Sequence, residues 1–196
     1  LGGAQKLFNI KPDLACFAKA ISNGIPLSAV VGKKKYMKYF NKVFFSFTYG
    51  GDCVGLAAAK ACINKLEKKN VLKHIYQMGE LLKNGINKAI THNSVDDFFS
   101  CIGEPCRSIL QIKATDEKKS LEYKTFIQQE LFKEGILWTG YQVVSWMHKK
   151  KDILKIINKF NIVLERFSKI IYTKKKLSKY RSIRFRLWFW SKYNSI

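Results

Sequence analysis

Acidic residues are scarce in this chain. Its 196 residues include 14 Asp and Glu against 36 Lys and Arg, a formal charge of +22. A balance this basic points first to nucleic acid or an anionic membrane surface. The distribution argues otherwise. Lysines are spread along the chain in pairs and triples, such as Lys33–Lys35, Lys118–Lys119 and Lys149–Lys151. Arg, whose fork reads base edges, is heavily outnumbered. A drift toward Lys, Asn and Ile on solvated faces accounts for the same numbers, so nucleic acid is not the expected partner. Charge is locally dense only from Tyr172 onward.

Other absences narrow the class further. No run of about 18 apolar residues occurs, so no membrane span is expected. Residues 1–10 lack the basic stretch and apolar run of a secretory signal. The three His are far apart. The five Cys (Cys16, Cys53, Cys62, Cys101 and Cys106) are odd in number, irregularly spaced and contain no CxxC pair. Neither a zinc site nor a disulfide framework fits, and no metal is expected. Buried free thiols in a reducing, cytoplasmic compartment are the natural reading. The chain opens on Leu1 rather than Met and runs directly into motif-like sequence, as a piece of a longer protein would.

What is present is a foldable interior. Apolar residues make up 47%, with 14 Phe, 9 Tyr and 4 Trp. That suffices for one domain or parts of two and leaves disorder a poor reading for most of the chain. Leu14–Phe17 reads as a buried strand, Ser28–Gly32 as a second, Tyr36–Phe40 as a short helix and Val43–Phe47 as a third strand. From Asp52 the period becomes helical: Val54, Ala57, Ala58, Ala61, Cys62 and Leu66 share a face to about Lys69. Leu72, Ile75, Met78, Leu82, Ile86 and Ile90 mark a second helix. Residues 91–105 are polar and broken. Ser108–Lys113 reads as a strand, Leu121–Glu134 as a helix stopped at Gly135, Ile136–Trp138 as a short strand, and Ile153 through Phe167 as a last helix ending near Ile171. The order divides the chain into an α/β part, 1–69, a small α+β unit, 70–171, and a basic aromatic tail, 172–196. In that tail cations interleave with Trp188, Phe189 and Trp190, and Ile183, Phe185, Leu187 and Phe189 alternate as a packed strand would.

Two local features carry chemistry. Lys19 follows a buried strand and precedes Ser22-Asn23-Gly24 and Pro26. A lysine there sits at the carboxyl edge of the sheet, where α/β folds place ligands. Partly desolvated, it would be a nucleophilic amine. Thr48-Tyr49-Gly50-Gly51 precedes the Ala-rich helix, and a hydroxyl with exposed amides at a helix start is a ready anion site.

The run Pro12-Asp13-Leu14 through Lys19 to Ser28-Ala29-Val30-Val31-Gly32 resembles the Schiff-base lysine signature of class III aminotransferases. Phe45–Asp52 resembles the family's next block, where a Thr before a glycine turn binds cofactor phosphate, often across a dimer interface. Ile75–Ile86 is similar to the helix that opens the family's C-terminal domain. Phe132–Tyr141 and Met147–Ile153 resemble the branch that includes glutamate-1-semialdehyde aminomutase, although Lys149–Lys151 replace the usual Thr and acids, which predicts a less well capped helix.

The resemblance implies the C-terminal part of a fold type I large domain followed by a small domain. It implies pyridoxal 5'-phosphate as cofactor, Lys19 as the catalytic and cofactor-binding lysine, and Thr48 as a cofactor-phosphate ligand. It further implies a small-molecule amino donor, a keto or aldehyde acceptor and a homodimer. The aspartate that pairs with the pyridine nitrogen lies, on this likeness, upstream of Leu1. The arginine that the family uses for a substrate carboxylate is not placed by the likeness; Arg107, near a strand, is a candidate, but solvated surface is its expected role. Transamination, intramolecular amino transfer and a non-catalytic remnant or basic binding module all stay open.

Overall fold

The computed structural model describes residues 1–44 and 46–173. From residue 174 onward the tail discussed above lies outside the described residues. The chain divides into two compact units, Leu1–Leu72 and a second beginning at Lys73. The break falls in the first turn of a helix, three residues beyond the boundary that composition predicts.

The first unit contains helix α1 (Gly3–Leu7), strand β1 (Leu14–Ala18), a 3-10 turn (Lys19–Ile21), strand β2 (Ser28–Gly32), helix α2 (Lys34–Met37) and helix α3 (Cys53–Lys68). Strands β1 and β2 pair antiparallel, from Leu14 opposite Gly32 to Ala18 opposite Ser28. The far end is closed tightly. The Lys33 ammonium meets the Asp13 carboxylate at 2.5 Å, and a Cβ on Gly32 would stand 2.4 Å from the Asp13 carbonyl oxygen. Only glycine tolerates that approach.

A third strand at Val43–Phe47 is not formed among the described residues: Val43, Phe44, Ser46 and Phe47 have no regular structure, and Phe44 is 95% exposed. The apolar run has the propensity but no neighbouring strand to complete its hydrogen bonds, and a strand without a ladder is not stable. Helix α3 forms where the Ala-rich pattern begins, but its buried residues are Gly55 and Ala59, while Val54, Ala57 and Ala61 of the expected face are exposed. Asp52 caps it, its carboxylate accepting from the amides of Val54 at 3.3 Å and Gly55 at 3.1 Å.

The second unit is α+β. It contains α4 (Val71–His92, which starts just before the break), β3 (Phe99–Glu104), β4 (Arg107–Ile112), α5 (Glu117–Lys133), β5 (Tyr141–Val143) and α6 (Lys150–Tyr172). The three strands form an antiparallel sheet in the order β3-β4-β5. Alternation turns Phe99, Cys101, Ser108, Leu110 and Gln142 inward, while Ile102, Ile109 and Tyr141 line up on the outer face. Phe167 of α6 stands at the centre of the core. Its ring meets Phe98, Phe99, Tyr123 and Phe126 edge to face at centroid distances of 4.7–5.5 Å, the arrangement the ring quadrupole favours. Arg166 bridges the last turn of α5 and the residue that caps it, reaching Glu130 at 3.0 Å and Glu134 at 2.7 Å.

Three expectations are corrected here. Strand β3 occupies part of the stretch read as broken. Ile136–Trp138 is not a strand: the amides of Gly135 and Ile136 donate back to Phe132 and Leu131 at 2.9 and 2.8 Å, closing α5 in a Schellman motif with Gly135 at φ 80°. The strand is instead the next segment, Tyr141–Val143. Helix α6 also recovers a cap despite Lys149–Lys151, because the Lys149 amide donates to the Asp152 carboxylate at 2.9 Å.

Candidate active site

The first unit holds both residues that the sequence singles out. Lys19 comes immediately after β1, and its backbone is left-handed, with φ 56°. For a residue with a Cβ that conformation costs about 1–2 kcal/mol, so the surroundings must impose it. They do so through a short chain of hydrogen bonds. The amides of Ser22 and Asn23 both donate to the Lys19 carbonyl, at 3.3 and 3.1 Å. The Ser22 hydroxyl, 2% exposed, donates to the Ile25 carbonyl at 2.5 Å. Asn23 and Gly24 are also left-handed, at φ 51° and 113°. Asn and Gly are the residues that accept this with least strain.

This turn walls a hollow of about 570 Å³ lined by Lys19, Ala20, Asn23 and Gly24, and on through Ile25, Pro26 and Leu27. A second hollow, of about 810 Å³, also has Pro26 and Leu27 in its wall and is lined besides by Ser28, Ser46, Thr48 and Gly51. The threonine and the lysine therefore border adjoining hollows with a common partition. Helix α3 holds the partition from behind: a Cβ on Gly55 would stand 3.1 Å from the Pro26 carbonyl oxygen.

Two expectations about this site change. Lys19 is exposed in this chain rather than partly desolvated, because β1 leaves both of its faces largely uncovered. The helix N-terminus is not open to an anion either, since Asp52 already takes its first amides and brings a negative charge. What the segment offers an anion is the turn itself. It is held by hydrogen bonds from Gly50 to Phe47 at 2.9 Å and from Asp52 to Tyr49 at 3.2 Å, with Gly51 at φ 84°, and it carries the exposed Thr48 hydroxyl.

The burial of Ser22 and its hydrogen bond across the turn went unread in the sequence. The signal was the Ser-Asn-Gly run itself, since a Ser hydroxyl readily bonds backbone groups of its own turn. Arg107 belongs to the second unit. It is exposed at the start of β4, and its guanidinium carbon lies 4.9 Å from the Tyr141 ring centroid. His74 and His148, distant in sequence, meet in the same unit: a His74 ring nitrogen, Nε2, lies 2.9 Å from the His148 carbonyl oxygen. Among the described residues no cluster of three or more His, Cys, Asp or Glu could hold a metal ion, and no helix is long and apolar enough to cross a membrane. Cys101 is the one buried thiol of the five; Cys16 and Cys53 are exposed. The expectation of a uniformly buried set therefore fails, because these two lie in the unit with the smaller core.

Comparison with known proteins identifies the family. The chain belongs to the class-III aminotransferase family, whose model matches residues 3–162. It is 29% identical over 178 residues to the glutamate-1-semialdehyde 2,1-aminomutase of Wigglesworthia glossinidia brevipalpis, a match covering 84% of this chain and 41% of that protein. It is 30% identical over 156 residues to the 3-aminobutyryl-CoA aminotransferase of Cloacimonas acidaminovorans, covering 78% and 37%. The chain thus spans about two fifths of the length of these relatives. Among solved structures it resembles an omega-transaminase from Sphaerobacter thermophilus, with TM-score 0.77 and 17% identity over 84% of this chain and 41% of that one. It also resembles the FumI protein of Sphingopyxis sp. in its PLP internal aldimine form, with TM-score 0.76 and 18% identity over 87% and 40%. The fold is that of the corresponding part of these transaminases, a mixture of helix and sheet.

Proposed function

We propose that the protein carrying this chain transfers amino groups with pyridoxal 5'-phosphate as cofactor, and that Lys19 is the lysine to which the cofactor attaches. The observation that carries this is the left-handed Lys19 turn beside a hollow whose wall is shared with that of Thr48. The residues fit the group. An amine, a hydroxyl and a glycine turn are what an aldehyde with a phosphate arm requires, and the Ile25–Leu27 wall suits a flat aromatic ring. The bound cofactor would supply an electron sink for charge developing at the substrate carbon.

The chain's own residues have separable tasks. Lys19 Nζ takes and returns the proton at that carbon when it is free as an amine. Thr48 Oγ1 and the turn amides hold the phosphate and so orient the ring. The substrates are a small-molecule amino donor and a keto or aldehyde acceptor. Intramolecular transfer is the second reading, favoured by the reaction named for the W. glossinidia relative. The exposed Phe44, Tyr49, Val54 and Leu56 around Thr48 suit a subunit surface, and support a homodimer. Five free thiols favour a reducing compartment such as the cytoplasm.

The test is covalent. One equivalent of pyridoxal 5'-phosphate is added to the protein as encoded, followed by borohydride, and the pyridoxyl group is located by peptide mass mapping. Label concentrated on Lys19 and missing from Lys19→Ala supports the proposal. Label scattered over the surface lysines rejects it.

A further inference from the structure

We propose that Ser22 is a positioning residue for Lys19. Its buried hydroxyl fixes the left-handed turn that delivers the lysine amine to its hollow. The inference rests on the role given to Lys19 above and extends it to a residue that need not touch cofactor or substrate.

Burial isolates Ser22 first. It is 2% exposed, while Asn23, Gly24, Ile25 and Pro26 around it are exposed. A hydroxyl buried in an exposed loop keeps its place by its hydrogen bond. That bond runs to the Ile25 carbonyl at 2.5 Å. At the same time the Ser22 amide donates to the Lys19 carbonyl at 3.3 Å, beside that of Asn23 at 3.1 Å. One residue therefore grips both ends of the loop through different atoms.

The ends it joins matter. Lys19 lies at one end, in a conformation that its side chain disfavours. At the other end, Ile25, Pro26 and Leu27 line the Lys19 hollow, and Pro26 and Leu27 continue into the wall of the hollow that holds Thr48. With the hydroxyl removed, the Ile25 carbonyl loses that donor, and the wall stays tied to the lysine turn only by the long backbone bond from the Ile25 amide to the Ser22 carbonyl, 3.5 Å. The strained Lys19 backbone can then relax, carrying the amine away from the hollow.

The test compares wild type, Ser22→Ala and Ser22→Thr, which keeps the hydroxyl. Two quantities are read: deuterium exchange at the Ser22 and Asn23 amides, and the share of pyridoxyl label on Lys19 after one equivalent of pyridoxal 5'-phosphate and borohydride. Loss of one neutral hydrogen bond predicts a roughly fivefold faster exchange in Ser22→Ala and a roughly fivefold smaller Lys19 share, with both restored in Ser22→Thr. If Ser22→Ala does not fold, Ser22→Cys replaces it, keeping the size but donating weakly. An unchanged Lys19 share overturns the inference even where exchange accelerates, because the hydroxyl then only stabilises a loop. Failure of Ser22→Thr to restore the share overturns it too. Absence of label from Lys19 in wild type is a separate failure: it rejects the assignment of Lys19 before any variant is made.

Discussion

Gly79 of α4 lies so close beneath Pro105, in the β3–β4 turn, that a Cβ on it would stand 2.0 Å from the Pro105 carbonyl oxygen. Helix and hairpin meet there backbone to backbone, and neither can move without the sheet or the helix following. Gly79→Ala gains the better helix propensity of alanine, about 1 kcal/mol. Overpacking against a carbonyl costs about 3 kcal/mol or more, so the net effect is a clear loss of stability in urea melts. Gly85, further along α4, is the control. Its added Cβ would meet side-chain atoms of Ile157, Cδ1 at 2.3 Å and Cγ1 at 2.6 Å, rather than backbone, and a side chain yields more readily than a carbonyl fixed in a turn. Gly85→Ala is expected to lose much less than Gly79→Ala; equal losses would show that helix geometry, not the Pro105 contact, sets the cost.

Acid should loosen the second unit through its paired carboxylates. The Glu134 carboxyl is held below the ordinary glutamate value by hydrogen bonds from Lys159 first and Arg166 second. Lys169 does the same for Glu165, and the Lys119 amide for Asp116. A folded pKa below the unfolded one adds stability above the unfolded value, and that stability is lost as pH falls through the folded value. Melting temperature should therefore hold from neutrality to about pH 5 and drop below about pH 4. Lys159→Met should melt lower than wild type at pH 7, and the two curves should converge toward pH 3. Parallel curves would remove Lys159 as the cause.

Much of this architecture was legible because it is local. The helical period after Asp52 and the spacing of Leu72 through Ile90 record two helices, and Gly135 marks the end of α5, although α3 buries Gly55 and Ala59 rather than Val54, Ala57 and Ala61. What escaped was non-local. Strand β3 breaks its alternation after Cys101, where Ile102 is exposed and Gly103 takes an inward position, and it is a strand because β4 pairs with it from Phe99 opposite Ile112 onward. Ile136–Trp138 has strand-like residues but spends its first amide on closing α5. At the site, Lys19 and Thr48 stand in recognisable sequence. The grip of Ser22 on Ile25 was hidden, because a serine in a turn looks the same whether its hydroxyl is buried or solvated.

The thiols of the second unit should separate by environment. Burial pushes the Cys101 thiol up, outweighing a hydrogen bond with Ser108 and the charge of Lys83. Cys106, in the β3–β4 turn, is only partly buried. The thiolate is the reactive species, so both access and ionisation disfavour Cys101. Iodoacetamide at pH 8, followed by peptide mapping, should alkylate Cys106 at least about tenfold faster than Cys101, with Cys101 reacting freely only in denaturant. Comparable rates in the folded protein would mean that the sheet opens around Cys101.

Thr48 offers the sharpest check on where a phosphate is held, because two neighbouring residues pull in opposite directions. Thr48→Val keeps the shape and removes only the hydroxyl. A hydrogen bond to a charged group is worth about 1.5–3 kcal/mol, so affinity for pyridoxal 5'-phosphate should fall roughly tenfold or more, read by fluorescence titration. The melting temperature should not change, since Thr48 is exposed. Asp52→Asn keeps a good helix cap and removes the negative charge beside the same turn. It should tighten binding, because a phosphate dianion no longer meets a carboxylate. A tighter Asp52→Asn together with an unaffected Thr48→Val would locate the phosphate at the start of α3 and take Thr48 out of the site.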